Sequence, residues 1–390
     1  MRRLVWLALA LSAAAALSLG IARFAYGLLL PTMRADLHWS YTLAGAMNTV
    51  NALGYLLGAL MTPRLLQRFG AERVLLAGAV LASVFMGLSG FFAASAPLLL
   101  QRLLAGIVSA WVFVAGGLLA TRLGALQPSQ GGLLIGLYYG GTGFGILLSA
   151  LLVPAVLEAS AQRTHGWAWA WWALALACFA LAALLRWPIR VLQPLAPAPP
   201  SADARPAGWR WRPFAFALAG YAMFGIGYIG YMTFVIALLR EQGASAAAVT
   251  AFYALLGVAV LASPRIWAGL LDRCRGGQAL ALLNALLGLA TVLPALTSAW
   301  PVILASGLLF GAVFLSLVAS TTALVRHNLP PAAWGAGISA FTIVFAAGQI
   351  VGPTIVGWIA DGPGGLARGL VFSACALWTG AALAWRQRAL

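Results

Sequence analysis

Twelve long apolar runs, separated by short stretches that hold most of the polar residues, organise this chain. They fall near residues 4–30, 41–61, 74–95, 98–121, 131–156 and 168–185, then near 213–238, 246–268, 278–296, 301–325, 334–360 and 366–385. A helix needs about 20 apolar residues to cross the hydrocarbon layer. Backbone polar groups in lipid must be satisfied within the segment, so each run predicts a membrane-spanning α-helix. The first run follows Arg2 and Arg3 and imitates a secretory leader, but it continues to Leu30, past the length of a leader's apolar core. It is read as an uncleaved first helix.

Between runs six and seven, the stretch Arg186 to Arg212 contains PLAPAPPSADARPAG, a proline-rich composition that builds no core and reads as a linker. The expected organisation is an N-terminal six-helix bundle over 1–186, a linker over 187–212 and a C-terminal six-helix bundle over 213–390. The halves echo each other. Leu65-Leu66-Gln67-Arg68 aligns with Leu270-Leu271-Asp272-Arg273, and Gly141 and Gly145 align with Gly348 and Gly352 at nearly the same offset. Parallel repeats of this kind predict two bundles related by a pseudo-two-fold axis, with a cavity between them. The fold class is all-α membrane protein.

Composition agrees: 63% of residues are hydrophobic and 8% charged, where a soluble domain carries about a quarter charged. Every basic residue is arginine, as a GC-rich genome would give, and the net charge is +16. The arginines stand singly between apolar runs, which argues for topology and against a nucleic-acid patch. With the N-terminus inside, 17 arginines fall in inner segments, and only Arg34, Arg163, Arg240 and Arg368 in outer ones. The expected arrangement places both termini and the linker in the cytoplasm of a bacterial inner membrane. Three scattered cysteines and three loop histidines imply no disulfide framework, metal or cofactor. Paired acids, a histidine cluster or a serine with its base are missing from the spans, so no enzyme is expected.

Several motifs resemble those of the major facilitator superfamily. PRLLQRFGAERVL, between runs two and three, is similar to its motif A at Arg68, Gly70 and Arg73, with Pro63 and Gln67 departing from the pattern. The second copy, AGLLDRCRGG, keeps Asp272 and Arg273. LLLQRLLAGIVSA, with Arg102, resembles motif B, and GQIVGPTIVGWIAD resembles the family's glycine–proline run through Gly348, Gly352 and Pro353. GLYYGGTGFG lacks the proline of the antiporter motif. The opening GIARFAYGLLLPTMRADL resembles the YbfB/YjiJ-type branch. The resemblance implies transport by alternating access, with gating at Arg68, Gly70, Arg73, Asp272 and Arg273. Small-residue faces at Gly141, Gly145, Gly348 and Gly352, beside Pro353, either pack statically or let the bundles slide.

Arg23 and Arg102 are the two charges inside apolar runs, while all seven acidic residues lie in loops or at helix ends. A charge at mid-membrane costs about 2.5–3.5 kcal/mol on insertion scales, so each arginine needs a partner or water. For Arg23 the alternatives are snorkelling to the outer interface or contact with a substrate. For Arg102 they are mechanistic bonding to backbone carbonyls or substrate contact. Asn48, Asn51 and Tyr55 share one helix face, and Tyr221, Phe224, Tyr228 and Tyr231 form a stripe on another. Tyr26 and Tyr138 complete the candidate substrate-binding set. Lone guanidinium groups without carboxylates suit an anion. The leading reading is a monomeric secondary transporter of a small organic anion, with lipid and solute as partners and a proton as candidate co-substrate. An efflux pump for amphipathic compounds and a transport-inactive sensor or scaffold are the alternatives.

Overall fold

The computed structural model describes residues 2–127, 130–192, 210–330 and 333–390, and these form twelve apolar helical spans and no strand. The spans are α1 (Arg2–Leu37), α2 (Tyr41–Phe69), α3 (Ala71–Ser89), α4 (Ser95–Ala125), α5 (Gly131–Ala159) and α6 (Trp167–Leu192). The second set comprises α7 (Ala215–Glu241), α8 (Ala246–Arg273), α9 (Gln278–Leu296), α10 (Trp300–Asn328), α11 (Trp334–Ala360) and α12 (Gly365–Trp385). Large apolar side chains such as Leu176, Leu296 and Trp358 are exposed on the periphery, where lipid replaces water. Helix α6 runs on to Leu192, so the first residues assigned to the linker are helical; most of that segment, 193–209, lies outside the described residues.

The two halves repeat one packing scheme. Helix α1 packs on α5 as α7 packs on α11, α2 on α4 as α8 on α10, and α3 on α6 as α9 on α12. The bundles meet along α2 with α11 and along α5 with α8, two contacts that a two-fold exchange of halves interconverts, and along α1 with α7.

These seams close toward one face only. At the end of the bundle opposite the termini, α2 and α11 touch backbone to backbone: a Cβ on Gly45 would lie 2.2 Å from the Pro353 carbonyl oxygen, and one on Gly357 2.2 Å from that of Tyr41. Thr49 Oγ1 bonds the Ile350 carbonyl at 2.7 Å. Asp361 at the end of α11 accepts from the Tyr41 and Thr42 amides, at 2.6 and 2.8 Å, and from Thr42 Oγ1 at 2.6 Å. It therefore caps the first turn of α2, where unpaired amides and the helix dipole favour an anion. Partial burial pushes its pKa up, but the Thr42 and Tyr41 donors and the Arg34 charge hold it below the usual carboxylate range. Tyr41 also donates its hydroxyl to Glu241 of α7. Toward the terminal face, no hydrogen bond joins the bundles among the described residues. The molecule is closed on the face opposite the termini.

The glycine faces lie against helices of their own bundle. A Cβ on Gly141 would meet the Ser12 carbonyl at 2.0 Å, and one on Gly145 the Ala16 carbonyl at 2.3 Å, both in α1. Gly348 and Gly352 press in the same way on Ala222 and Ile226 of α7. These faces lock helices within each bundle. The close approaches between bundles use Gly143 against Gly257, Gly45 against Pro353, Gly357 against Tyr41 and Gly27 against Met232.

Candidate functional site

Helix α1 is broken at mid-membrane. After Ala15 it widens into a π-helical turn over Ala16–Ile21, passes through an irregular turn in which Ala22 and Ala25 keep helical dihedrals, and resumes as α-helix at Tyr26. The cause is close approach: Gly20 lies so near α5 that a Cβ would fall 2.6 Å from the Gly145 Cα. The break shifts the hydrogen-bond ladder, with Ala22 and Phe24 donating five residues back to Leu17 and Leu19. Carbonyls near the break thus accept from other helices. Ala22 O accepts from Arg102 Nη1 at 2.9 Å, and Phe24 O from the Tyr253 hydroxyl of α8 at 2.8 Å.

Arg23 sits inside this break. The helix continues past Pro31 to Leu37, so Pro31 does not mark its outer end, and Arg23 lies about 20 Å from that end at ~1.5 Å per residue. The side chain is 5% exposed, which rules out snorkelling. Its Nη2 is buried without a hydrogen-bond partner among the described residues. The guanidinium carbon lies 5.4 Å from the centroid of the Tyr55 ring. Tyr228 of α7 and Arg102 are its other electrostatic neighbours.

Arg102 is the opposite case. Besides Ala22 O, it donates from Nη2 to Asn48 Oδ1 at 2.7 Å and from Nε to Met47 O at 3.4 Å, and it lies over the Tyr26 ring at 4.9 Å. Asn51 Nδ2 donates to the Arg102 carbonyl at 3.0 Å, and Asn48 Nδ2 reaches Thr233 Oγ1 of α7 at 2.8 Å. This network ties α1, α2 and α4 together and gives each guanidinium nitrogen of Arg102 a partner inside the protein, while Asn51 Oδ1 accepts no hydrogen bond among the described residues. Three tyrosine hydroxyls are likewise bonded within the protein. Tyr26 donates to Ala44 O, Tyr138 to Phe113 O, and Tyr231 pairs with Ser306 Oγ.

Across the seam from Arg23, α7 presents an aromatic wall. Tyr221, Phe224 and Tyr228 stack with Phe345 of α11, at centroid distances of 5.0, 5.1 and 5.4 Å, and Tyr228 also stacks on Phe314 of α10 at 5.2 Å. The Tyr228 hydroxyl donates to Gln349 Oε1 at 2.9 Å. Phe314, Phe345 and Gln349 were not singled out from sequence, since nothing in α10 or α11 marks one aromatic or amide above its neighbours.

The motif A-like positions are at the terminal face. Gly70 takes φ +80°, which joins α2 to α3 without a Cβ penalty. Asp272 and Arg273 are exposed, with no ion pair among the described residues, while Glu72 pairs with Arg122 at 3.1 Å.

Residues 15–385 match the family described as "Uncharacterised MFS-type transporter YbfB". The chain belongs to that family. No curated protein matches it. Among solved structures, a bacterial homolog of the human lysosomal transporter Spinster, captured inward-facing and unoccupied, aligns over 97% of this chain and 96% of its own. Its TM-score is 0.72 at 16% identity. The nucleoside transporter NupG aligns over 97% of this chain and 98% of its own, with TM-score 0.70 at 12% identity. These likenesses show a shared fold, the major facilitator fold of two six-helix bundles. The protein is a multi-pass membrane protein of a secondary-transporter family.

Proposed function

We propose that this YbfB-type family member is a secondary transporter of a small organic anion, bound between the bundles at Arg23. The supporting observation is the guanidinium itself: buried at mid-membrane, short of one hydrogen-bond partner and next to a second arginine. The acidic residues described all lie at helix ends. Two desolvated cations without a carboxylate make the site attractive to anions, and a guanidinium offers the donor fork that a carboxylate fits. Tyr55, whose hydroxyl carries no hydrogen bond among the described residues, lies beside Arg23 as an adaptable second contact.

Alternating access then proceeds by exchange of the closed face. The positive-inside asymmetry argues for a cytoplasmic terminal face, and on that reading this is an inward-facing state, latched outward by Asp361 and Glu241. Solute leaves toward the cytoplasmic side in this state. Closing that side brings Asp272 and Arg273 near their counterparts, and the outer latch releases. Asp361, held deprotonated by its donors, serves the latch rather than carrying a coupling proton.

Counterflow in proteoliposomes tests this reading. Labelled acetate, succinate and benzoate, each with excess unlabelled acid inside, are compared with a labelled organic cation of similar size. Accumulation of at least one acid and not of the cation is expected. Counterflow of the cation alone would favour efflux of amphipathic cations, and the absence of any counterflow would leave a scaffold.

A further inference from the structure

We propose that the solute is a planar aromatic or conjugated carboxylate, whose ring adds to the α7–α11 stack while its carboxylate meets Arg23. This rests on the anion reading above and sharpens it to a substrate class.

Ring geometry is the first observation. Among the described residues, every near-parallel aromatic pair lies in the α7, α10 and α11 cluster, with interplanar angles of 8° for Phe224 on Phe345 and 25° for Phe224 on Tyr228. Pairs in the N-terminal bundle are tilted or edge-on, as at Phe113–Tyr139 with 57° and Trp169–Trp172 with 75°. A packed core accepts both geometries. A run of rings held in one orientation by three helices presents a face on which another flat ring is in register.

Unspent polar groups are the second observation, and they converge beside that face. Arg23 Nη2 is buried and unpaired. Gln349 accepts from Tyr228, and its own amide hydrogens make no bond among the described residues. Tyr228, the ring at the centre of the stack, is an electrostatic neighbour of both Arg23 and Tyr55. A carboxylate placed by the Arg23 fork thus has a second donor in Gln349, with its attached ring directed at Phe345, the half-buried member of the stack. An aliphatic acid would meet the same donors but gain no stacking.

Benzoate and cyclohexanecarboxylate carry the same charge and the same number of carbons, and differ in the flat ring. Thermal stabilisation of the detergent-solubilised full chain measures each directly, because ligand bound to the native state raises Tm. Benzoate should give the same rise in Tm at about one-tenth the concentration of cyclohexanecarboxylate, the ratio expected of two ring contacts. Phe345→Leu should bring the ratio close to one, and Phe345→Tyr should retain it, which separates a lost ring from a damaged fold. Equal stabilisation by both acids, or stabilisation by succinate alone, would overturn the aromatic assignment and leave the anion reading intact. Stabilisation by benzylamine in preference to every acid, or by none of these compounds, would overturn both.

Discussion

The interiors of the two bundles solve different problems with different chemistry. In the N-terminal bundle, Arg102 is buried with a partner for each guanidinium nitrogen: its donors reach Ala22 O, Met47 O and Asn48 Oδ1 on two neighbouring helices. In the C-terminal bundle the equivalent depth holds stacked rings and no charge, with Tyr228 and Phe345 at its centre. Arg23 stands between them, charged like the first and satisfied by neither. The difference teaches that burial of a charge says little about its role until its hydrogen bonds are traced. A guanidinium with a partner at every nitrogen is a tie between helices, and one with an unpartnered nitrogen at a seam is an offer to a solute.

The largest expected effect separates the two arginines. Arg102→Ala strands the Ala22 carbonyl and the Asn48 amide oxygen in the interior, at about 1–3 kcal/mol for each unsatisfied group. Relief of the buried charge offsets part of this, so a net loss of roughly 2–4 kcal/mol is expected, read as a lower Tm by several degrees. Arg23→Ala strands no partner and should leave Tm unchanged or slightly raised. Equal destabilisation by both changes would break the comparison.

Next comes the seam itself. Gly45→Val places side-chain atoms where the Pro353 carbonyl now sits, and a packed backbone contact cannot absorb that overlap. The face opposite the termini should then stay open. A cysteine introduced at Thr49, which faces Ile350 and Thr354 across the closed seam, should react several-fold faster with an impermeant thiol reagent in intact spheroplasts. An unchanged rate would place the closure elsewhere.

Acid should weaken the latch in a defined direction. The Asp361 pKa is lower in the folded protein than in the unfolded chain, so its contribution is present above the unfolded value and is lost as pH falls through the folded value. The Tm difference between wild type and Asp361→Asn should stay constant from about pH 8 to 5 and close only below about pH 4. The carboxylate is exposed, so the difference should be a few degrees at most. A difference that closes near neutrality would contradict the assignment.

The smallest effects belong to the terminal face, where Asp272 is unpaired among the described residues of this state. Asp272→Asn should slow counterflow without altering Tm, and Gln67→Ala should alter neither. Equal slowing by the two would remove the asymmetry between the motif A-like loops.

The spans were legible because hydrocarbon thickness fixes their length, and composition alone separates them from soluble helices. The two intramembrane arginines were legible as anomalies of charge. Their opposite fates were not, because the partners of Arg102 are largely backbone carbonyls of Ala22 and Met47, which no residue pattern marks. The break in α1 was equally hidden, since its cause is the approach of Gly20 to Gly145 in another helix. For Gly141 and Gly348, four-residue spacing announced a close-packed face but not which helix it packs against. The aromatic stripe on α7 could be read from its spacing, whereas the rings that complete it, Phe314 and Phe345, arrive from helices remote in sequence.

Direct binding of the best-transported acid to purified wild type, Arg23→Lys and Arg23→Ala tests the central claim, that Arg23 holds the solute's charge. Truncating one member of a buried charge pair costs at least ~2 kcal/mol, so Arg23→Ala should raise Kd about 30-fold or more at unchanged Tm. Arg23→Lys, which keeps the charge but loses the fork, should fall between. A wild-type Kd in Arg23→Ala would contradict the account.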